Sequence, residues 1–125
     1  MRPSIQGPSF QDCVNEWMQV CFGEEISKDK IERCHRFLEE SLELVQSLGI
    51  TKSDVLKLVD YTFGRPIGET SQEVGGVMVT LSALCSASEI DMQRSANVEL
   101  MRIWTKINAI RQKQATKPKH SPLPQ

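Results

Sequence analysis

The four cysteines, Cys13, Cys21, Cys34 and Cys85, form no C-x-x-C pair and no zinc-type spacing, so a redox motif or a structural zinc site has no basis in the sequence. Each lies among residues with helical periodicity, where a free thiol behaves as a small apolar side chain. Cys34 and His35 cannot act together along a helix, because adjacent side chains point about 100° apart. There is no glycine-rich phosphate loop and no Ser-His-Asp or Cys-His arrangement for nucleophilic chemistry. The formal net charge is only −1, which excludes general electrostatic attraction to nucleic acid polymers or anionic membranes. No apolar run approaches the roughly 20 residues needed to span a bilayer. The opening stretch from Met1 to Pro8 holds no apolar segment of the signal-peptide kind, and the expectation is a cytoplasmic protein.

What is present is ordinary in amount and helical in pattern. The 125 residues, 39% hydrophobic and 25% charged, suit one soluble domain rather than two independent cores. Ser9 is placed to cap a first helix over 10–22 that stops at Gly23. Ser27 is placed to cap a second over 28–48, with Gly49 as its stop. Thr51-Lys-Ser-Asp54 has the form of a capping-box variant opening a third helix over 52–62. Gly64-Arg-Pro-Ile-Gly68 then breaks the chain. A fourth helix is expected over 70–88, and a fifth over 92–114 capped by Asp91. Residues 115–125, with three prolines, are expected to be an extended or mobile tail. Val77-Met-Val-Thr-Leu81 alone has a strand-like look, but the apolar pattern continues through Leu84 and Cys85 at helical spacing. The expectation is an all-α fold, with a single helical domain over 1–114.

The chemistry is concentrated in acids. Glu39, Glu40 and Glu43 fall within about one turn of the second helix, where residues three or four apart share a face. Three like charges on one ridge repel unless a positive group sits among them. A hard divalent cation such as Mg2+ takes oxygen ligands and would relieve that repulsion. On a helical wheel, Ile31, Cys34, Phe37, Leu38, Leu42, Leu44, Val45 and Leu48 make a broad apolar face with Glu40 at its border. Val74, Val77, Met78, Leu81, Leu84 and Cys85 make an expected buried stripe on the fourth helix, with Glu73 against it. A carboxylate beside such a stripe is costly unless paired, protonated or metal-bound. Facing helices of this kind can bring Glu40 and Glu43 to Glu73, as in di-metal helix bundles. The plain alternative is a solvated acidic face with Arg36 as an ion-pair partner, worth a few tenths of a kcal/mol per pair.

Glu39-Glu40-x-x-Glu43 followed by Glu73 resembles the EExxE…ExxD pattern of the MazG-like all-α nucleoside triphosphate pyrophosphohydrolases, in phage and bacterial forms. The resemblance covers roughly 28–114. Arg33-x-x-Arg36-Phe37, the run from Glu73 to Leu81, and Ile103-Trp-Thr-Lys106 add to it. It implies a four- to five-helix bundle, a homodimer or homotetramer, and hydrolysis of a (deoxy)nucleoside triphosphate to the monophosphate and pyrophosphate. It further implies Mg2+, with Mn2+ as a substitute, held by Glu40, Glu43 and Glu73, with Glu39 as a supporting ligand or water-orienting group. The family's final Asp falls on Gly76. Water in the vacant coordination position, substitution by Glu69 one turn earlier, or loss of catalysis are the three explanations. Gly75-Gly76 itself suggests either a close approach by backbone or ligand, or a plain kink. Arg65, Arg102, Lys106, Lys113, Lys117 and Lys119 are the cations placed to meet phosphate, and the stretch from Lys117 to His120 can close over a nucleotide. Trp17 and Trp104 can stack on a base, with core or interface roles as the alternative.

Overall fold

In the computed structural model, described for residues 7–117, the chain is all-helical. Its elements are α1 (Phe10–Ser27), α2 (Lys30–Ser47), α3 (Lys52–Phe63), α4 (Thr70–Ala87), α5 (Met92–Trp104) and α6 (Ile107–Thr116). No strand occurs among the described residues. The count exceeds the expected five because the last helix divides. Thr105 and Lys106 donate backbone hydrogen bonds to the carbonyls of Arg102 and Ile103, closing tight i→i−3 turns that end α5. The C-terminal helix runs through Ala115 and Thr116, two residues into the segment expected to be extended. Lys117 follows in extended backbone, and the rest of that segment, 118–125, with Lys119 and His120, lies outside the described residues.

Most helix starts are set by local capping. Ser9 accepts from Asp12 N–H while Asp12 returns a bond to Ser9 N–H, completing a capping box. Thr51 accepts from Asp54 N–H, and Asp91 from Arg94 N–H, as the sequence suggests. The cap of α2 differs: Asp29 accepts from Glu32 N–H, whereas Ser27 belongs to the last turn of α1 and donates to the Gly23 carbonyl. Gly23 sits at φ 81°, ψ 172° inside α1, a backbone state that favours glycine. The helix therefore does break at Gly23, but a further turn of Glu24–Ser27 follows the break. Glu69 caps α4, its carboxylate accepting from the N–H groups of Ser71 and Gln72.

The chain forms two compact units. The first comprises the described residues up to Glu40 together with those from Val98 onward; the second is Ser41–Asn97. The boundaries fall inside α2 and α5. In the first unit α1 packs on α6, around buried Trp17 and Cys21. Trp17 meets Phe22 edge-on at 5.6 Å, and its indole N–H donates to the Ile103 carbonyl, a group near the end of α5. Arg111 donates to the carbonyls of Cys21 and Val20 at 2.6 and 2.9 Å. Those carbonyls lie just before the break at Gly23. Burial pushes the Cys21 thiol up from its ordinary range, with Arg111 and Arg33 partly offsetting the effect, so the thiol stays protonated and inert.

The second unit contains no buried residue. Phe63 and Ile67 are 86% and 101% exposed, and Val74, Val77 and Met78 are also open to solvent. The expected buried stripe on α4 is thus open at Val74, Val77 and Met78 and half-buried at Leu81, Leu84 and Cys85 in the chain alone, because an amphipathic face is buried only where another surface lies against it.

Glu69 tests the capping account. Hydrogen bonds from Ser71 and then Gln72 hold its carboxyl below the ordinary value of 4.5. A depressed folded-state value stabilises the fold above the unfolded-state value and is lost as pH falls through the lower folded-state one. Glu69→Ala is expected to lower the thermal midpoint at pH 7, with the gap from wild type closing as pH falls below 4.5; circular dichroism melts across pH check it.

Candidate functional site

A carboxylate that the spacing rules did not single out anchors the acidic helix. Glu32 is 2% exposed, and a charge so buried requires partners. Arg36 Nε lies 3.1 Å from its Oε2, and Arg33 Nη2 lies 3.5 Å from the same atom. The Gln114 side-chain amide donates to it from α6, so α2 and α6 are joined through one carboxylate oxygen. Burial drives the Arg33 guanidinium below its ordinary range, with Glu32 opposing that shift. Arg33 also lies over the Phe22 ring, 5.1 Å from its centroid, while its Nε finds no hydrogen-bond partner among the described atoms. The sequence signal for this cluster was Glu32-x-x-x-Arg36, an i,i+4 pair on the same side of α2 as Glu39, which Arg36 also reaches.

Arg36 extends the cluster one turn further. Its Nη1 lies 3.0 Å from Glu39 Oε1, and Lys117 Nζ reaches the same oxygen at 2.9 Å. The hydrogen bond from Lys117 is the main reason the Glu39 carboxyl sits below its ordinary range; the charges of Lys117, Arg36 and Lys113 add to it. Arg102 binds Glu99 through two donors, Nε–Oε1 at 2.9 Å and Nη2–Oε2 at 2.7 Å. Its guanidinium is held above its ordinary range chiefly by Glu99, with Glu40 contributing as well. Three of the cations expected from the sequence to meet phosphate, Arg102, Lys113 and Lys117, therefore share the first unit with Glu39 and Glu40 and act electrostatically on them.

The remaining candidates are arranged differently. Glu40 and Glu43 are exposed and lie one turn apart along α2. Lys106 is exposed at the N-cap of α6. In the second unit Arg65 stacks over Tyr61 at 4.3 Å. Glu69 is committed to the α4 cap. Glu73 is exposed, so the desolvation cost inferred from the sequence is not incurred in the chain alone: the stripe beside it is open. Its carboxylate folds back over Gly68, leaving no room there for a Cβ beside Oε2. At Gly75 and Gly76 an added Cβ would meet nothing within 4 Å, and α4 continues through both. Of the two readings of that pair, nothing in the described chain approaches closely. Trp17 is a core residue, and Trp104 is 38% exposed.

In chemistry the donors suit a hard divalent cation, since Glu39, Glu40 and Glu43 offer only carboxylate oxygens along one helix. The two cations drawn to Glu39 Oε1 show that its carboxylate already serves positive charge. Among the described residues, no three acidic, histidine or cysteine side chains stand together as a ready cation site. No single helix among them is long and apolar enough to cross a membrane. Compared with known proteins, the chain matches no family model, no curated protein and no solved structure.

The buried cluster supplies a stability test. Glu32→Leu removes the shared acceptor of Arg33, Arg36 and Gln114, and is expected to cost about 3 kcal/mol, the scale for breaking a buried ion pair. Urea unfolding monitored by tryptophan fluorescence checks it, and an unchanged midpoint would refute the role assigned to Glu32.

Proposed function

We propose that this protein is a Mg2+-dependent hydrolase of (deoxy)nucleoside triphosphates, acting on nucleotide pools in the cytoplasm and built as an oligomeric helix bundle of the MazG-like type. The observation that carries the reading is the acidic ridge Glu39-Glu40-x-x-Glu43 on continuous α2, with Arg102, Lys113 and Lys117 acting on its first two members. A site for a metal–triphosphate needs both signs of charge: oxygens for the cation and cations for the phosphates. Water would add at the α phosphorus as the bond to the oxygen bridging toward the β phosphorus breaks, yielding a monophosphate and pyrophosphate.

In this reading Glu40, Glu43 and Glu73 hold the metal and Glu39 supports them or orients water. The metal when bound supplies charge neutralisation and water activation near neutral pH, and Mn2+ can take its place. Arg65, Arg102, Lys106, Lys113 and Lys117 are the phosphate-facing cations; Lys119 has the same assignment but lies outside the described residues. Of the three accounts of Gly76, substitution by Glu69 is the least economical, because that carboxylate would have to give up two backbone hydrogen bonds. Water as a ligand fits Mg2+, which keeps several waters.

A second reading, a nucleotide-binding relative without catalysis, is favoured by Gly76 itself together with the engagement of Glu69. Pyrophosphate release from a panel of ribo- and deoxynucleoside triphosphates, with Mg2+ or Mn2+ and with EDTA as control, separates the two. Metal-dependent release is expected, abolished by Glu43→Gln and by Glu73→Gln with helical content retained. Wild-type turnover by both variants would sink the metal assignment. Gly76→Asp has open space for its side chain and is expected to raise turnover; release seen only in that variant would favour the second reading.

The exposed apolar side chains support the oligomer. Soluble monomers rarely leave large contiguous apolar surface open, and a standard interface buries about 1,600 Å² in total. Leu58, Phe63, Ile67 and Val79, each at least 61% exposed, are the kind of side chains such an interface would cover. Light scattering after size exclusion is expected to give two or four times 14.1 kDa; a monomer at micromolar concentration would refute the assembly.

A further inference from the structure

Every residue from Leu56 to Thr80, across the later part of α3, the connecting loop and the first half of α4, is exposed. Ten of them are large and apolar. On α3, Leu56, Val59 and Phe63 are spaced three and four apart and share one face. On α4, Val74, Val77 and Met78 begin a stripe that continues into half-buried Leu81, Leu84 and Cys85. The chain therefore partly covers the C-terminal half of that stripe and leaves its N-terminal half bare. No charged side chain occurs from Val74 to Ala87, and a helix apolar on all sides belongs inside a core. The first unit has such a core at Trp17 and Cys21; the second has none of its own.

We propose that the segment from Leu56 to Thr80 is a dimerisation surface, and that the core of the second unit is completed only by the same segment of a second copy of this chain. The inference deepens the oligomer proposed above by naming its contact face, and it is independent of the metal assignment. The available area fits a dimer. At roughly 100 Å² of open surface each, less than a large side chain can bury, the ten apolar side chains offer about 1,000 Å² per copy. Two copies then bury about 2,000 Å², where obligate homodimer interfaces begin. Charge favours a second copy as the occupant. The segment carries both signs, Lys57 and Arg65 against Asp60, Glu69 and Glu73, so two copies related by a two-fold axis bring each other the opposite charges. A partner of one dominant sign would leave some of them unmatched. A unit without an internal core draws its stability from association, so its helices and the dimer form together.

The test uses the full chain. Light scattering should give at least twice the chain mass, and the thermal midpoint of the circular dichroism signal should rise with protein concentration. Met78→Glu, which sets a charge in the bare stripe, should give a monomer that loses about half of the helical signal, the share of helix in the second unit. Its tryptophan emission should stay at the wild-type wavelength, since Trp17 and Trp104 both lie in the first unit. Met78→Leu keeps the apolar face, and Gln72→Glu adds the same charge to α4 outside the stripe; both should remain associated. A Met78→Glu protein that still associates would overturn this face while leaving the oligomer standing. A Met78→Glu monomer with the full helical signal would overturn the joint core. If Met78→Glu fails to fold at all, the concentration dependence of the wild type decides. A wild-type monomer with one midpoint at every concentration would remove this inference and the oligomer together. If that monomer sedimented with phosphatidylcholine vesicles, a lipid surface would be the occupant instead.

Discussion

A carboxylate almost wholly removed from water is the constraint around which the first unit is organised. Glu32 needs positive charge and hydrogen-bond donors at once, and it obtains them from Arg36, Arg33 and Gln114. Because Gln114 belongs to α6, the need of one side chain on α2 fixes where the C-terminal helix lies. Because Arg36 bridges Glu32 and Glu39, the same need sets the orientation of the first acid of the ridge. The position of Lys117 follows from α6, and its contact with Glu39 follows from both. Buried ion pairs contribute little net stability but punish misplacement heavily, which makes such a cluster a means of register rather than of strength.

The middle of α6 and the residue that follows it are each held by a cation donating to oxygen, to backbone carbonyls in one case and to a carboxylate in the other. Toward its middle, Arg111 donates to the carbonyls of Cys21 and Val20, just before the break at Gly23. At its end Lys117 seeks an acid. A helix of ten residues is marginal by itself, and tertiary anchors at both places are what make it persist. This also accounts for the split between α5 and α6. Trp17 draws the Ile103 carbonyl close to the point where tight turns end α5, and a new helix then starts at Ile107 against α1.

The second unit contrasts with this in every respect. Its helices are correctly capped, at Thr51 and Glu69, yet none of its residues is buried. Local rules therefore suffice to begin and end helices but not to cover them. Glu73 illustrates the consequence: beside an uncovered stripe it is a solvated acid folded over Gly68; beside a covered one it would be a carboxylate in need of a counter-charge. The electrostatic character of that residue depends on whatever lies against α4.

The all-α class, the caps at Ser9, Thr51 and Asp91, and the acidic ridge on α2 were determined by the sequence alone, because helical periodicity and capping act over three or four residues. So was the Gly23 break, since a positive φ is a local demand. The division of the last helix at Thr105–Lys106, the burial of Glu32 and the meeting of Lys117 with Glu39 were decided only by tertiary structure. Each depends on partners tens of residues away, through Trp17 and Ile103, Arg111 and Cys21, or Gln114 and Glu32. No window along the chain contains both members of those pairs, so the energies that select them exist only once α1, α2 and α6 have come together.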